Sequence, residues 1–300
     1  MPARPGPDAL PDLSGRTVVV TGANAGLGKE TVVALAGAGA QVLLCARDAG
    51  RGAAAAEEAR RRSDGGDVAV AELDLGSVAS IHAFAERVAA DHDRLDVLVN
   101  NAGLSRDERE ETVDGLEAVV GVNHLGHHLL ARLLADHLAA TPGSRVVTVA
   151  SVAHRRVLRP LTRAALEGRD GEYDTFVQYA RSKLANVVFT REAARRLGPR
   201  GVTAVCCHPG LVRTGMTTEA SETETGQRTM ALASRLMKDP VEGCGAQVAL
   251  AAVPDVGLLQ GAYVVRGRAR RPSRVACDAA HARWLWDESD AMLAEAGARV

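Results

Sequence analysis

Short apolar runs alternate along the chain with longer stretches whose apolar positions recur at helical spacing. The short runs are Thr17–Thr21, Gln41–Cys45, Val68–Glu72, Val97–Asn100, Val146–Ala150, Thr203–Cys207 and Ala262–Val265. Val, Ala and Leu dominate them without a polar alternation, as in strands buried on both faces. The longer stretches predict helices over Leu27–Ala38, Ala49–Arg62, Val78–Asp91, Gly115–Ala139, Phe176–Leu197 and Val241–Ala252. Such alternation implies right-handed crossovers and an α/β fold, a doubly wound parallel sheet of about seven strands with helices on both faces. No repeat or linker divides the chain. Residues 15–300 are therefore expected to form a single domain, after a disordered lead-in at 1–14 rich in Pro, Gly and Asp.

Two segments break the rhythm. Residues 155–175 are charged and irregular, and 211–239 are rich in Thr, Glu, Ser and Met. Both follow strand C-terminal ends, where open α/β sheets place their ligand crevice, so they are expected to form a substrate rim. Ordinary surface insertions are the alternative.

Composition narrows the function. No run approaches the roughly 18 apolar residues of a membrane span, and the start lacks the basic and apolar regions of a secretory signal. A cytoplasmic protein without a membrane anchor is expected. The 36 Lys+Arg nearly balance the 37 Asp+Glu, which gives no footprint for nucleic acid. The basic runs Arg60–Arg62 and Arg266–Arg271 read as a solvated helix end and a surface loop. The five cysteines, Cys45, Cys206, Cys207, Cys244 and Cys277, are odd in number and lack C-x-x-C spacing, which fits reduced thiols. Cys45 and the Cys206–Cys207 pair lie in apolar runs and are expected in the core. His124 and His128 have the spacing of two helix-borne ligands, but no glutamate accompanies them and Gly126 interrupts the stretch, so no metal is expected.

Candidate chemistry begins at Thr21-Gly22-Ala23-Asn24-Ala25-Gly26-Leu27-Gly28, between the first strand and the first helix. Glycines there permit a tight turn and a close backbone approach to a pyrophosphate, whose charge the helix N-terminus favours. The spacing is G-x-x-x-G-x-G, which resembles the short-chain dehydrogenase/reductase family. Further matches follow in order: Asn100-Asn101-Ala102-Gly103 after the fourth strand, Asn123 in the next helix, Ser151 at the end of the fifth strand, Tyr179-Ala180-Arg181-Ser182-Lys183, and Pro209-Gly210 after the sixth. Within the family the chain looks most like the retinol dehydrogenase and protochlorophyllide reductase-like branch, on Thr21–Thr31, Val122–His127, Asn186–Leu197 and His208–Thr214. It is expected to lack the N-terminal membrane anchor that animal members of that branch often carry, and it ends the fifth strand Ala150-Ser151 where the branch typically has Ser-Ser.

The resemblance implies a Rossmann fold and an oxidoreductase that interconverts an alcohol and a ketone or aldehyde. Tyr179 and Lys183 are four apart and share a helix face. Free tyrosine titrates near pH 10, and a nearby cation lowers that value, so Lys183 is placed to make Tyr179 an acid/base. Ser151 would hydrogen-bond the substrate oxygen. The resemblance adds that Lys183 binds the nicotinamide ribose and that Asn123 holds a water relaying protons to Lys183. The implied cofactor residues are Gly22, Asn24, Gly26, Leu27, Gly28, Arg47, Asp74, Leu75, Asn100, Ala102, Gly103, Tyr179, Lys183, Pro209 and Gly210. Arg47 after the second strand favours NADP(H) through a 2′-phosphate. Asp48 leaves NAD(H) open, unless it caps the following helix. Asp74 matches the family's adenine contact, and a helix cap is its other reading.

Met216, Met230, Leu232, Leu236 and Met237 could line an apolar pocket for a lipophilic carbonyl substrate or form the inner stripe of a rim helix. The resemblance leaves a homo-oligomer open, often through the helices bearing Asn123 and Tyr179. Trp284-Leu285-Trp286 resembles the branch's tail helix, with core packing or a lid as its roles. Two other functions remain in view at this point, a non-catalytic NADP(H) sensor and a binder of another nucleotide-containing ligand. The first would not need the tyrosine and lysine, and the second leaves their motif unexplained.

Overall fold

The computed structural model describes residues 10–212 and 239–299. Its strands are β1 (Thr17–Val20), β2 (Gln41–Ala46), β3 (Val68–Glu72), β4 (Val97–Asn100), β5 (Arg145–Val149), β6 (Thr203–His208), β7 (Tyr263–Val265) and β8 (Arg268–Arg270). They form one sheet in the order β3-β2-β1-β4-β5-β6-β7-β8. All neighbours are parallel except β7 and β8, which form an antiparallel edge. The strand order reverses between β1 and β4, the switch point at which such sheets open a ligand crevice. The expected count of seven strands misses β8. Its residues, Arg268, Ala269 and Arg270, are exposed and carry no apolar run, and backbone pairing to β7 holds them.

The helices are α1 (Gly26–Ala36), α2 (Ala49–Arg62), α3 (Val78–Asp91), α4 (Ala118–Val120), α5 (Gly126–Leu133), α6 (Ala135–Ala140), α7 (Arg163–Leu166), α8 (Thr175–Leu197), α9 (Pro240–Gly243), α10 (Gly245–Ala252) and α11 (Ala279–Glu295). One apolar cluster fills each side of the sheet. Val19, Leu98, Leu129 and Leu184 belong to one, and Val20, Val97, Leu35 and Val248 to the other. Cys45 and Cys206 are buried in the first and Cys207 in the second, as expected.

Three differences from the sequence reading go beyond a shift of one or two residues at an element's end. The helix expected over Gly115–Ala139 is broken by a π turn at Gly121–Leu125 and again at Leu134. Packing explains the glycine there: a Cβ on Gly126 would lie 2.3 Å from the Leu75 carbonyl oxygen. The stretch 241–252 divides into α9 and α10 at Cys244. Ordered chain also starts inside the expected lead-in, because Leu13 is buried and its N–H donates to the Ala38 carbonyl at 2.8 Å. Of the expected rim, 155–175 contains the short helix α7, and 213–238 lies outside the described residues, as do Met216, Met230, Leu232, Leu236 and Met237.

The tail helix α11 packs on α8 and α5. Trp286 is buried and stacks on Phe189 with ring centroids 5.7 Å apart, so core packing is its role. His124 and His128 turn towards the same helix. Their Nε2 atoms lie 2.9 Å from Ser289 Oγ and 2.7 Å from Asp290 Oδ1. The face that the resemblance marks as a frequent dimer surface thus carries this chain's own tail.

Candidate functional site

The glycine-rich turn between β1 and α1 takes its shape from two left-handed positions, Gly22 at φ +61° and Gly26 at φ +54°. At Gly28 a Cβ would come within 2.6 Å of the Gly22 carbonyl oxygen and of Asn101 Nδ2, so the helix start closes on its loop only without a side chain. The first turn of α1 has neither a side-chain cap nor an acidic residue. Its free N–H groups and positive dipole end therefore meet the adjacent cleft unneutralised.

That cleft has a volume of about 400 Å³ and runs along the C-terminal ends of β1, β2, β3 and β4. Of the predicted residues it brings together Gly22, Asn24, Gly26, Leu27, Gly28, Arg47, Asp74, Leu75, Ala102 and Gly103. Asn100 does not line it. Asn100 is buried in β4, with Nδ2 3.4 Å from Thr148 Oγ1, and the neighbour Asn101 takes the lining position. Asn101 also ties the loop, donating from Nδ2 to the carbonyls of Thr21 at 2.8 Å and Gly22 at 3.3 Å. Pro209 and Gly210 follow β6 beyond this lining, Gly210 at φ +101°.

Asp48 caps α2 by accepting the Arg51 N–H at 2.7 Å, the reading that competes with an NAD contact. Asp74 holds the Gly76 N–H at 2.9 Å within a turn, while Ser77 caps α3. Sequence reasoning missed Arg51. It follows Arg47 by four residues and lines the cleft with it, and both residues are exposed and form no ion pair among the described residues. Four-residue spacing at a helix start was the signal that could have found it.

The four predicted catalytic residues converge at the far end of the cleft. Ser151 follows β5 and its hydroxyl accepts the Ala153 N–H at 3.2 Å. Tyr179 lies on α8, with its phenol close enough to the Ser151 side chain to be influenced by it. One turn further, Lys183 Nζ donates to the Val149 carbonyl at 3.2 Å and sits 5.6 Å from the Tyr179 ring centre. Asn123 occupies the π turn, a backbone irregularity common at functional sites. Its amide accepts the Leu104 N–H at 2.7 Å and donates to the Leu104 carbonyl at 2.9 Å and Ser182 Oγ at 3.0 Å. Gly103 joins this group to the cleft, because a Cβ there would stand 3.4 Å from both Asn123 Oδ1 and Lys183 Nζ.

The electrostatics differ from the expectation that Lys183 lowers Tyr179. Burial pushes the Tyr179 phenol above its usual range, with the Ser151 side chain pulling the other way. Burial also lowers Lys183 to about 8. Enclosure disfavours the charged form of each group.

The chain is similar to known proteins. The sequence pattern of the family described as short chain dehydrogenase matches residues 16–162 and 165–225. Human retinol dehydrogenase 12 is 45% identical over 209 residues, covering 70% of this chain and 65% of that protein, just under two thirds of its length. Human retinol dehydrogenase 11 is 39% identical over 284 residues, covering 94% and 86%. A crystal structure of a candidate NAD(P)-dependent gluconate 5-dehydrogenase from Beutenbergia cavernae, with NADP bound at low occupancy, superposes with a TM-score of 0.67 at 30% identity, covering 85% and 96%. With its switch-point cleft, its glycine turn and its Ser-Tyr-Lys-Asn cluster, the chain belongs to the short-chain dehydrogenase/reductase family of oxidoreductases and within it is similar to the retinol dehydrogenases.

Proposed function

We propose that the chain is an NADP(H)-dependent oxidoreductase that interconverts an alcohol and a ketone or aldehyde. The observation that carries this reading is the junction at Gly103, where Lys183 and Asn123 meet a nucleotide-sized cleft beside the Ser151–Tyr179 pair. The cleft's residues fit such a cofactor. The uncapped start of α1 suits a pyrophosphate, and Arg47 and Arg51 suit a 2′-phosphate. Asp48, engaged with the Arg51 N–H, is the weaker ribose acceptor, which places NAD(H) second. The NADP in the Beutenbergia cavernae protein supports the same preference.

Bound NADP(H) would supply or accept the hydride. In the reducing direction Tyr179 gives its phenolic proton to the carbonyl oxygen, and Ser151 donates a hydrogen bond to that oxygen as charge gathers there. Lys183, lowered to about 8, keeps its proton at neutral pH and stabilises the phenolate Tyr179 leaves behind. Asn123, by the family resemblance, holds the water through which Lys183 and Tyr179 are reprotonated. Val152 beside Ser151, Phe176 one turn before Tyr179, and Leu158 and Leu211 are all exposed apolar side chains, which supports a lipophilic substrate. The odd number of cysteines and their lack of C-x-x-C spacing support a reducing compartment such as the cytoplasm. Among the described residues no helix is long and apolar enough to cross a membrane.

The test is oxidation of NADPH and NADH by the purified protein against a panel of aldehydes and ketones, with lipophilic members included. The reading expects turnover that prefers NADPH. Cofactor binding with no turnover on any substrate would replace it with the sensor.

A further inference from the structure

Among the buried polar groups that this mechanism does not use, His127 has both ring nitrogens engaged. It follows the π turn on α5, is 2% exposed, and links two parts of the site. Its Nε2 lies 2.8 Å from Thr21 Oγ1, at the mouth of the glycine-rich turn. Its Nδ1 lies 3.1 Å from the Asn123 main-chain carbonyl oxygen.

The protons can be placed by counting. A threonine hydroxyl has one proton and two lone pairs. Thr21 Oγ1 already accepts the N–H groups of Asn101 at 2.9 Å and Ala102 at 3.0 Å. Both lone pairs are therefore taken, and Oγ1 can meet a third neighbour only as a donor. The competing acceptor, the Val99 carbonyl, is 3.3 Å away against 2.8 Å for the imidazole. The shorter contact takes the proton. A hydrogen on Nε2 would ask the hydroxyl for a third lone pair and leave a bare Nδ1 facing a carbonyl oxygen. Nε2 is thus the acceptor, and Nδ1 carries the hydrogen and donates to Asn123.

We propose that His127 is a positioning residue, a neutral imidazole with its proton on Nδ1 that links the nucleotide-binding turn at Thr21 to the Asn123 carbonyl and couples cofactor binding to the proton-relay end of the site. The inference rests on the function proposed above. Thr21 Oγ1 organises the Asn101 and Ala102 amides, and Ala102 and Gly103 line the cleft. The Asn123 amide is spent on Leu104 and Ser182, so its backbone needs a separate restraint at the π turn. Neutrality also matters. Burial, opposed by the Asn123 carbonyl and helped by the nearby Lys183 charge, lowers His127 to about 4. A charged ring there would repel the Lys183 ammonium.

Two variants separate the two ends. In His127→Asn the side-chain amide nitrogen stands where Nδ1 stands, keeping a donor for Asn123 and losing the acceptor for Thr21. In His127→Gln the longer side chain brings an oxygen to the Nε2 position, keeping the Thr21 end and losing the Asn123 end. A lost buried hydrogen bond of this type changes an equilibrium by about tenfold. The expected result is that His127→Asn weakens NADPH binding about tenfold with turnover at saturating cofactor kept near wild type, and His127→Gln does the reverse. Equal losses of both quantities in both variants, or no loss in either, overturn the proposal.

A second measurement stands apart from activity. Nitrogen-15 NMR of the cofactor-free chain, with the His127 signals assigned by their loss in His127→Asn, should show a protonated Nδ1 and a bare Nε2 unchanged from pH 8 to pH 5. A proton on Nε2, or titration within that range, overturns the assignment. If the wild type turned over no substrate, the proposed activity would fall, while the tautomer and the NADPH affinities would still decide the role of His127.

Discussion

Arg47 and Arg51 give the sharpest handle on cofactor choice. Both line the cleft where β2 ends, and among the described residues neither guanidinium is held in an ion pair. Removing them should therefore leave the fold intact. A charge-assisted hydrogen bond between buried partners contributes about 1.5–3 kcal/mol. Both side chains are exposed, so solvent and salt reduce this to about 1 kcal/mol for each arginine, roughly fivefold in Kd. Arg47→Ala and Arg51→Ala should each weaken NADPH binding about fivefold, and the double variant about 25-fold if the two contacts are independent. NADH has no 2′-phosphate, so its affinity should stay within twofold or so. Titration calorimetry or nucleotide fluorescence at two salt concentrations reads all of this, and the NADPH advantage should shrink as salt rises. Equal losses for NADPH and NADH, or an NADPH affinity untouched by the double variant, would refute the reasoning. A wild type that prefers NADH, and loses that preference in Asp48→Ala, would assign the site to Asp48 instead.

Two further perturbations test the core and its electrostatics. Lys183 titrates at about 8 in the fold against an ordinary 10.5, so between these values the unfolded chain binds more protons and stability rises with pH. The stability gap between wild type and Lys183→Met, followed by urea unfolding, should shift in favour of the wild type by up to about 3 kcal/mol from pH 8 to pH 10.5; a gap that is flat across this window counts against the burial account. Trp286→Ala should destabilise by about 3–5 kcal/mol, since it removes the ring stacked on Phe189 and flanked by Arg132 and Arg196. A thermal midpoint shifted by only a degree or two would show instead that α11 contributes little to the fold.

Most of the fold was legible because a parallel sheet buries both faces of its inner strands, although the edge strand β3 leaves Val70 and Glu72 exposed. Val68–Glu72 and Val97–Asn100 have the bounds that their apolar runs predict, and so do α2 and α3. What escaped had no side-chain signature. The exposed Arg268–Arg270 strand is held by its backbone alone. The π turn adds a residue to a helix without changing its composition, and only the crowding of Gly126 against Leu75 points to it. The site was legible as motifs, because glycine turns and a Tyr-x-x-x-Lys spacing demand particular residue types. The motif did not distinguish Asn100, turned into the sheet, from Asn101, turned into the cleft. Periodicity could not foresee burial raising Tyr179 either, since that depends on what encloses the phenol. His127 entered the sequence reading only as the last residue of the Val122–His127 stretch, because its partner Thr21 is 106 residues away in sequence.

The central claim is that Tyr179 delivers the proton while a hydride reaches the carbonyl carbon. Its most direct test is deuteride transfer from NADPH deuterated at the nicotinamide C4, followed by mass spectrometry of the alcohol, for wild type and Tyr179→Phe on the best substrate of the panel. The account predicts one deuterium per product molecule from the wild type, and a rate at least about a hundredfold lower in the variant with NADPH affinity preserved. Deuterated product formed by Tyr179→Phe at the wild-type rate would contradict it.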